Sequence, residues 1–196
     1  YDQEGWHSDV FHAEGEFYGE FGDFNVRFDI PKSFIIAASG VVVEGNPGWE
    51  DVVVDTSIEY NVWLDIHNSN LIESSENERR IVTFLAENVH DFAWVASKDF
   101  LYEGGLSKDG KTKVHVLYDK QRGENWTKVV LERSINALNW LEQKFGQYPY
   151  PQITTTDRIK SGGMEYPMLV MNGRDSESLI VHEYGHIYFY GILANN

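Results

Sequence analysis

Three residues near the carboxyl end of the sequence have the types and the spacing to hold a metal ion and work beside it. They are His182, Glu183 and His186, in the run Leu179-Ile-Val-His-Glu-Tyr-Gly-His-Ile-Tyr188. On an α-helix, residues four apart lie about 40° apart around the axis, so two histidines at that spacing turn their imidazoles toward one point. Imidazole nitrogen is a zinc ligand, which makes Zn2+ the expected cofactor. Glu183 falls about 100° from His182 and about 60° from His186, where a carboxylate can act as general base on a water attacking at the ion.

The helix that must carry these groups is apolar around most of its circumference. Ile180, Tyr184, Ile187 and Gly191 cluster opposite His182, while Leu179, Phe189, Tyr190 and Leu193 cover much of the rest. Such a helix is a buried one. Imidazoles and a carboxylate inside it need partners, because isolated buried polar groups are costly, and a metal ion supplies one. A coincidental HExxH pattern is expected in roughly one chain in a few hundred of this length.

The bulk numbers bound the rest. A chain of 196 residues with 42% hydrophobic and 14% aromatic residues can build a real core, in one large unit or two small ones. Residues 1–124 carry 24 acids and 10 bases, net −14, whereas residues 125–196 carry 7 acids and 6 bases, net −1. The split argues for two units of different character. Net charge −15 excludes nucleic acid as a partner, since phosphate binding needs clustered Lys and Arg. With no cysteine there is no disulfide framework, and no run reaches the eighteen or so apolar residues of a membrane span.

In chain order, residues 1–23 read as loop and short extended segments. Alternation of Phe24, Val26, Phe28 and Ile30 with polar residues predicts a half-buried strand stopped by Pro31. Further short strands are expected over Ile35–Val43, Val52–Val54, Ile58–Ile66, Ile81–Glu87, Phe92–Ser97 and Val114–Tyr118. His7, His12, His67, His90 and His115, scattered through this region, read as ordinary surface or core histidines. From Asn125 as a cap to Phe145, apolar residues recur at helical spacing, with Gly146 after the end. Strands over Gln152–Asp157 and Met164–Met171 flank a Gly162-Gly163 turn, and Asp175 or Ser176 caps the HExxH helix. The fold class is α+β: an antiparallel β-sandwich or sheet region over residues 1–120, then the start of an α/β catalytic domain over residues 121–196.

Several of these elements, in this order, resemble the aminopeptidase N-like family of gluzincin metallopeptidases. They are Asp91-Phe-Ala-Trp-Val-Ala-Ser97, a long helix closing on Phe145-Gly-Gln-Tyr-Pro-Tyr150, then Gly162-Gly-Met-Glu-Tyr-Pro167, similar to the family's Gly-x-Met-Glu-Asn motif, and finally His182–His186. The resemblance implies a thermolysin-like catalytic domain with His182 and His186 as zinc ligands and Glu183 as general base. It implies that Gly162, Gly163 and Met164 lie along the substrate peptide and that Glu165 binds its free α-amino group, so that peptides are the substrates. Tyr166 stands where the family has Asn. The family's third zinc ligand and its transition-state Tyr fall beyond Asn196, so the chain reads as an internal piece, with the missing carboxyl-terminal part as a partner and little activity of its own. A metzincin is excluded, because Phe189 and Ile192 occupy the positions of its Gly and third His. The alternatives are a non-catalytic scaffold that keeps the fold, or an endopeptidase or epoxide-hydrolysing relative. Localisation stays open, with a lean toward an exported bacterial protein.

Overall fold

A computed structural model describes Gly5, residues 20–70 and residues 77–192, apart from the side chains of Tyr190 and Ile192. The extended segments expected before residue 20, His7, His12 and Leu193 lie outside the described residues.

The alternating stretch forms strand β1 (Gly22–Pro31). It pairs antiparallel with β4 (Arg79–Val89), which also takes β3 (Val41–Gly45), giving a three-stranded sheet β1-β4-β3. The run 35–43 is two strands, β2 (Ile35–Ala38) and β3, broken at Ser39-Gly40, and β2 pairs with β5 (Trp94–Ser97). Phe28, Ile36, Ala38, Val82 and Phe84 form a small core beneath.

Two expected strands are corrected. Trp49–Val52 is a 3-10 turn that leaves Val53 only an isolated bridge to Tyr102. Residues 58–66 are not a strand: helix α1 runs from Tyr60 to Asn70. The apolar alternation there is real, but Ile58, Val62 and Ile66 are the residues left exposed. What fixes the segment is the helical spacing of Tyr60, Trp63 and His67. Tyr60 donates to the Lys120 carbonyl, and Trp63 stacks on His67 with ring centroids 4.7 Å apart.

The larger sheet has the order β6-β7-β8-β10-β9, with β6 (Phe100–Leu106), β7 (Lys113–Asp119), β8 (Gln152–Thr156), β9 (Gly163–Tyr166) and β10 (Leu169–Asn172). It is mixed: β7 and β8 are parallel, as are β8 and β10, while β6 and β9 join antiparallel at the two edges. Strands from both sides of residue 120 share it. The long helix expected from Asn125 is two pieces, a single turn α2 (Gly123–Trp126) and α3 (Val129–Phe145). The expected strand 164–171 is a hairpin of β9 and β10 turning at Pro167-Met168. Helix α4 (Glu177–Ile192) carries the histidines. Val130, Leu138 and Leu141 of α3 and Ile180, Tyr184 and Ile187 of α4 share one buried core with Val116, Ile153 and Val170 of the sheet. The fold is thus α+β, with mixed helices and largely antiparallel sheets, and no helix among the described residues is long and apolar enough to cross a membrane.

Candidate metal centre

Two constraints fix the rotation of α4 about its axis. Its apolar face, Ile180, Tyr184 and Ile187, is fully or almost fully buried. At the centre of that face the Tyr184 hydroxyl meets Thr155 Oγ1 at 2.8 Å, and Thr155 Oγ1 is in turn 3.3 Å from Ser134 Oγ of α3. A buried phenol that must reach a hydroxyl on β8 ties the helix to the sheet in one orientation. Burial pushes the Tyr184 phenol up to about 12, so it stays protonated. The start of the helix is held from α3, where Arg133 donates to both the Asp175 carbonyl and its carboxylate at 2.6 Å.

With α4 so placed, His182 and His186 emerge on the opposite side. Their Nε2 atoms are 3.0 Å apart and their rings stand at 88° to one another. Two imidazoles on one tetrahedral zinc ion, at about 2.05 Å each, would place their nitrogens about 3.3 Å apart. The pair therefore fits a shared ion with a small opening movement. His182, Glu183 and His186 offer ligand atoms within 4.8 Å of one another, the one such group of three among the described residues. His182 is exposed and His186 half-buried, so an ion can enter, while Glu183 is 3% exposed. The surroundings are aqueous on the histidine side and protein on the carboxylate side.

The other wall is β9. Side chains alternate along a strand, so Gly163 and Glu165 share a face, and that face looks at α4. A Cβ on Gly163 would stand 2.0 Å from the Glu183 carboxylate oxygen, so any larger residue there would force the Glu183 side chain to move. Glu165 Oε1 stands 4.0 Å from His186 Nδ1, outside hydrogen-bond reach but within electrostatic reach. Along β9, then, Gly163 lies opposite Glu183 and Glu165 opposite His186. Met164 belongs to the other face, across from Met171. Gly162 sits just before the strand with φ +70°, a conformation glycine adopts without strain, and its carbonyl accepts from Gly173 N at 2.9 Å. β9 ends the sheet, so among the described residues one of its edges has no strand beside it.

Of the residues singled out in the sequence, His182, Glu183, His186, Gly163 and Glu165 come together, with Gly162 and Met164 adjoining. Sequence reasoning placed Tyr184 on the apolar face but missed what its hydroxyl does, and it missed Thr155, Ser134 and Arg133, which help position the helix. The available signal was a phenol in the middle of an apolar helical face, together with a run of three threonines in a strand that had to be buried. His67 and His115 stand apart from the centre, stacked on Trp63 and against Trp49 respectively.

The architecture is a mixed sheet backed by two helices, with two convergent imidazoles beside an edge strand that carries Gly163. Solved structures match it at the level of fold. The chain is similar to the M1 zinc metallopeptidase from Deinococcus radiodurans, with 15% identity and a TM-score of 0.59, covering 88% of this chain and 35% of that one. It is equally similar, at a TM-score of 0.59 and 15% identity over the same shares, to a substituted two-domain M1 zinc metallopeptidase bound to L-arginine. A form bound to L-tryptophan gives a TM-score of 0.58 with the same identity and coverage. The chain therefore spans about a third, 35%, of the length of the structures it matches. No protein-family model matches the sequence, and no curated protein matches it.

Proposed function

We propose that this chain forms the zinc-binding and substrate-strand portion of a zinc peptidase that removes residues from the free amino end of peptides. The observation that carries the reading is the pairing of β9 with α4: Gly163 bare against Glu183 and Glu165 beside His186, under an open strand edge. His182 and His186 would hold zinc through Nε2, and the ion, when bound, supplies Lewis acidity toward a peptide carbonyl. A peptide joins the open edge of β9 through backbone hydrogen bonds, as an added strand. Gly162 and Gly163 present no side chain to obstruct it. Glu165 takes the peptide's α-ammonium as an ion pair, which fixes the first residue and puts the first peptide bond over Glu183. Glu183 accepts a proton from the attacking water at its carboxylate and returns it to the departing amine nitrogen.

Two imidazoles are one protein ligand short of a catalytic zinc set. With two imidazoles as its ligands, residues 1–196 alone are expected to hold zinc weakly and to hydrolyse little. Residues 1–120 act in this reading as the β portion that precedes the catalytic one. The test is hydrolysis of an aminoacyl anilide by the complete zinc-loaded protein, with free and N-acetylated peptides compared. Free peptides should be cleaved and acetylated ones spared. Equal cleavage would replace the aminopeptidase with an endopeptidase, and intact zinc binding without any cleavage would favour a scaffold.

A further inference from the structure

The polarity of the site points to a second recognition element. Glu165, which takes the amino end, lies toward the carboxyl end of β9, and Glu183, which works at the scissile bond, faces Gly163 nearer its start. A peptide running from the first group to the second runs antiparallel to β9. Beyond the scissile bond it must pass Gly162 and Ser161 and reach the loop that leaves β8. Three residues span at most about 10 Å, which is the reach that the second and third residues after the cleaved bond have toward Lys160.

That loop is basic in a chain of net charge −15. Lys160 is exposed and has no ion-pair partner among the described residues. Arg174, exposed and equally unpaired, sits on the turn whose Gly173 N donates to Gly162 O. The two cations therefore flank the upstream end of β9. Behind Lys160 lies a crevice of about 320 Å³ at the carboxyl ends of β7 and β8, where Arg122 and Arg158 pair with Asp119 and Asp157. The two acids in that crevice are already engaged. Asp157 accepts from Asp119 N at 3.0 Å and lies 3.3 Å from Arg158 Nε, and Asp119 accepts from Arg158 at 3.2 Å. Arg122 is anchored on the Gly173 carbonyl at 3.2 Å. The cations left for an incoming peptide are the exposed Lys160 and Arg174.

We infer that Lys160 and Arg174 select a carboxylate, from an acidic side chain or the carboxyl terminus of a short peptide, two or three residues beyond the cleaved bond. This deepens the peptidase reading and rests on its direction of peptide binding. Two exposed ion pairs amount to about a fivefold preference. The chain's overall negative charge works against it, so a preference for acidic peptides has to come from local contacts.

The test measures binding of Leu-Ala-Glu-Glu amide, Leu-Ala-Gln-Gln amide and Leu-Ala-Lys-Lys amide to this chain by calorimetry. Hydrolysis of the same peptides by the complete zinc-loaded protein is followed in parallel. The acidic peptide should bind about fivefold more tightly than the neutral one at low salt, with the ratio shrinking at high salt. The ratio should fall to one or below in Lys160→Glu/Arg174→Glu, fall partway in Lys160→Gln, and be kept in Lys160→Arg. Comparing Leu-Ala-Gln as free acid and as amide tells whether a chain-terminal carboxylate serves as well. An acidic preference in binding with no hydrolysis would sink the peptidase reading and leave this one standing. Equal affinities, a preference that survives charge reversal, or no binding of any peptide overturns the inference.

Discussion

The two principal sheets are built from similar residues under opposite constraints. In the three-stranded sheet β1-β4-β3 one face meets the small core and the other meets water, so β1 alternates Val26 and Phe28 with Asn25 and Arg27. In the five-stranded sheet β8 is buried at all five positions, Gln152 to Thr156, and most of its side-chain polar groups are bonded internally: Thr155 to Tyr184, Thr154 to Gln152, and the Gln152 amide to the Gly40 carbonyl. A strand covered on both faces has no period to read, and its polar groups must be satisfied by its neighbours. Those obligatory bonds are what orient α4. The candidate site belongs to the sheet whose strands are hardest to recognise, and the one-sided sheet serves as its support.

The widest separation between the two regions lies in chemistry. Glu183→Gln should lower turnover by the complete zinc-loaded protein about a thousandfold while zinc stays bound. Full activity in that variant would remove the general base from the site. In the supporting sheet, Phe84→Ala, at a fully buried position, should cost about 3–5 kcal/mol of unfolding free energy by denaturant titration. The zinc affinity of the folded fraction should not change with it, and a parallel loss would mean that the two sheets are not separable in function.

Gly163→Ala tests the contact between β9 and α4. A methyl group 2.0 Å from the Glu183 oxygen forces the carboxylate aside. Activity of the complete protein should drop about a hundredfold from misplacement alone. Unfolding free energy should change by about 1–3 kcal/mol, the usual range for overpacking.

The two regions also meet at a titrating group. His115 of β7 is buried beneath Trp49, with ring centroids 4.5 Å apart, and its Nδ1 is 2.9 Å from the Tyr102 hydroxyl. Burial pushes this imidazole down to about 4. A histidine whose folded pKa is depressed contributes stability above its unfolded value of 6.5, and that stability is lost as pH falls from 6.5 toward 4. The gap of 2.5 units, 6.5 minus about 4, corresponds to about 3 kcal/mol. Glu103 and Asp157, pushed up by burial, act in the opposite sense and gain stability as pH falls through their raised values. Unfolding curves at pH 7 and pH 4.5 should therefore show a loss that His115→Gln reduces. A pH slope identical in both proteins would assign the acid sensitivity elsewhere. At the small end of the scale, Ile81→Thr on the water face of β4 should move stability by no more than about 0.5 kcal/mol, since Ile81 is exposed.

How much could be read in the sequence follows the same divide. Strands β1, β4 and β7 were legible from alternation or β-branching, and the histidine helix from its motif. Strand β6 was missed because Gly104-Gly105 and a buried Glu103 weaken its β character. Glu103 is retained there because it accepts from Tyr118 Oη at 2.7 Å and from Lys128 N at 3.0 Å, at the start of α3. Helix α1 was misread because Ile58, Val62 and Ile66 fall four apart, a spacing that a strand and one helical face share. The aromatic residues that decide between them act through a partner 60 positions away, Lys120 for Tyr60, and through a helical i, i+4 stack, Trp63 on His67. At the site, the chemical groups were legible because chemistry fixes their spacing along one helix. Tyr184 and Thr155, which aim that helix, are 29 positions apart in sequence and meet only in three dimensions.

The central claim is that His182 and His186 converge on one zinc ion beside Glu183. Zinc titration of the chain by calorimetry, repeated with His182→Ala and His186→Ala, tests it most directly. The account predicts weak one-to-one binding that either substitution abolishes. Zinc binding that survives both substitutions, or no zinc binding at all, would contradict it.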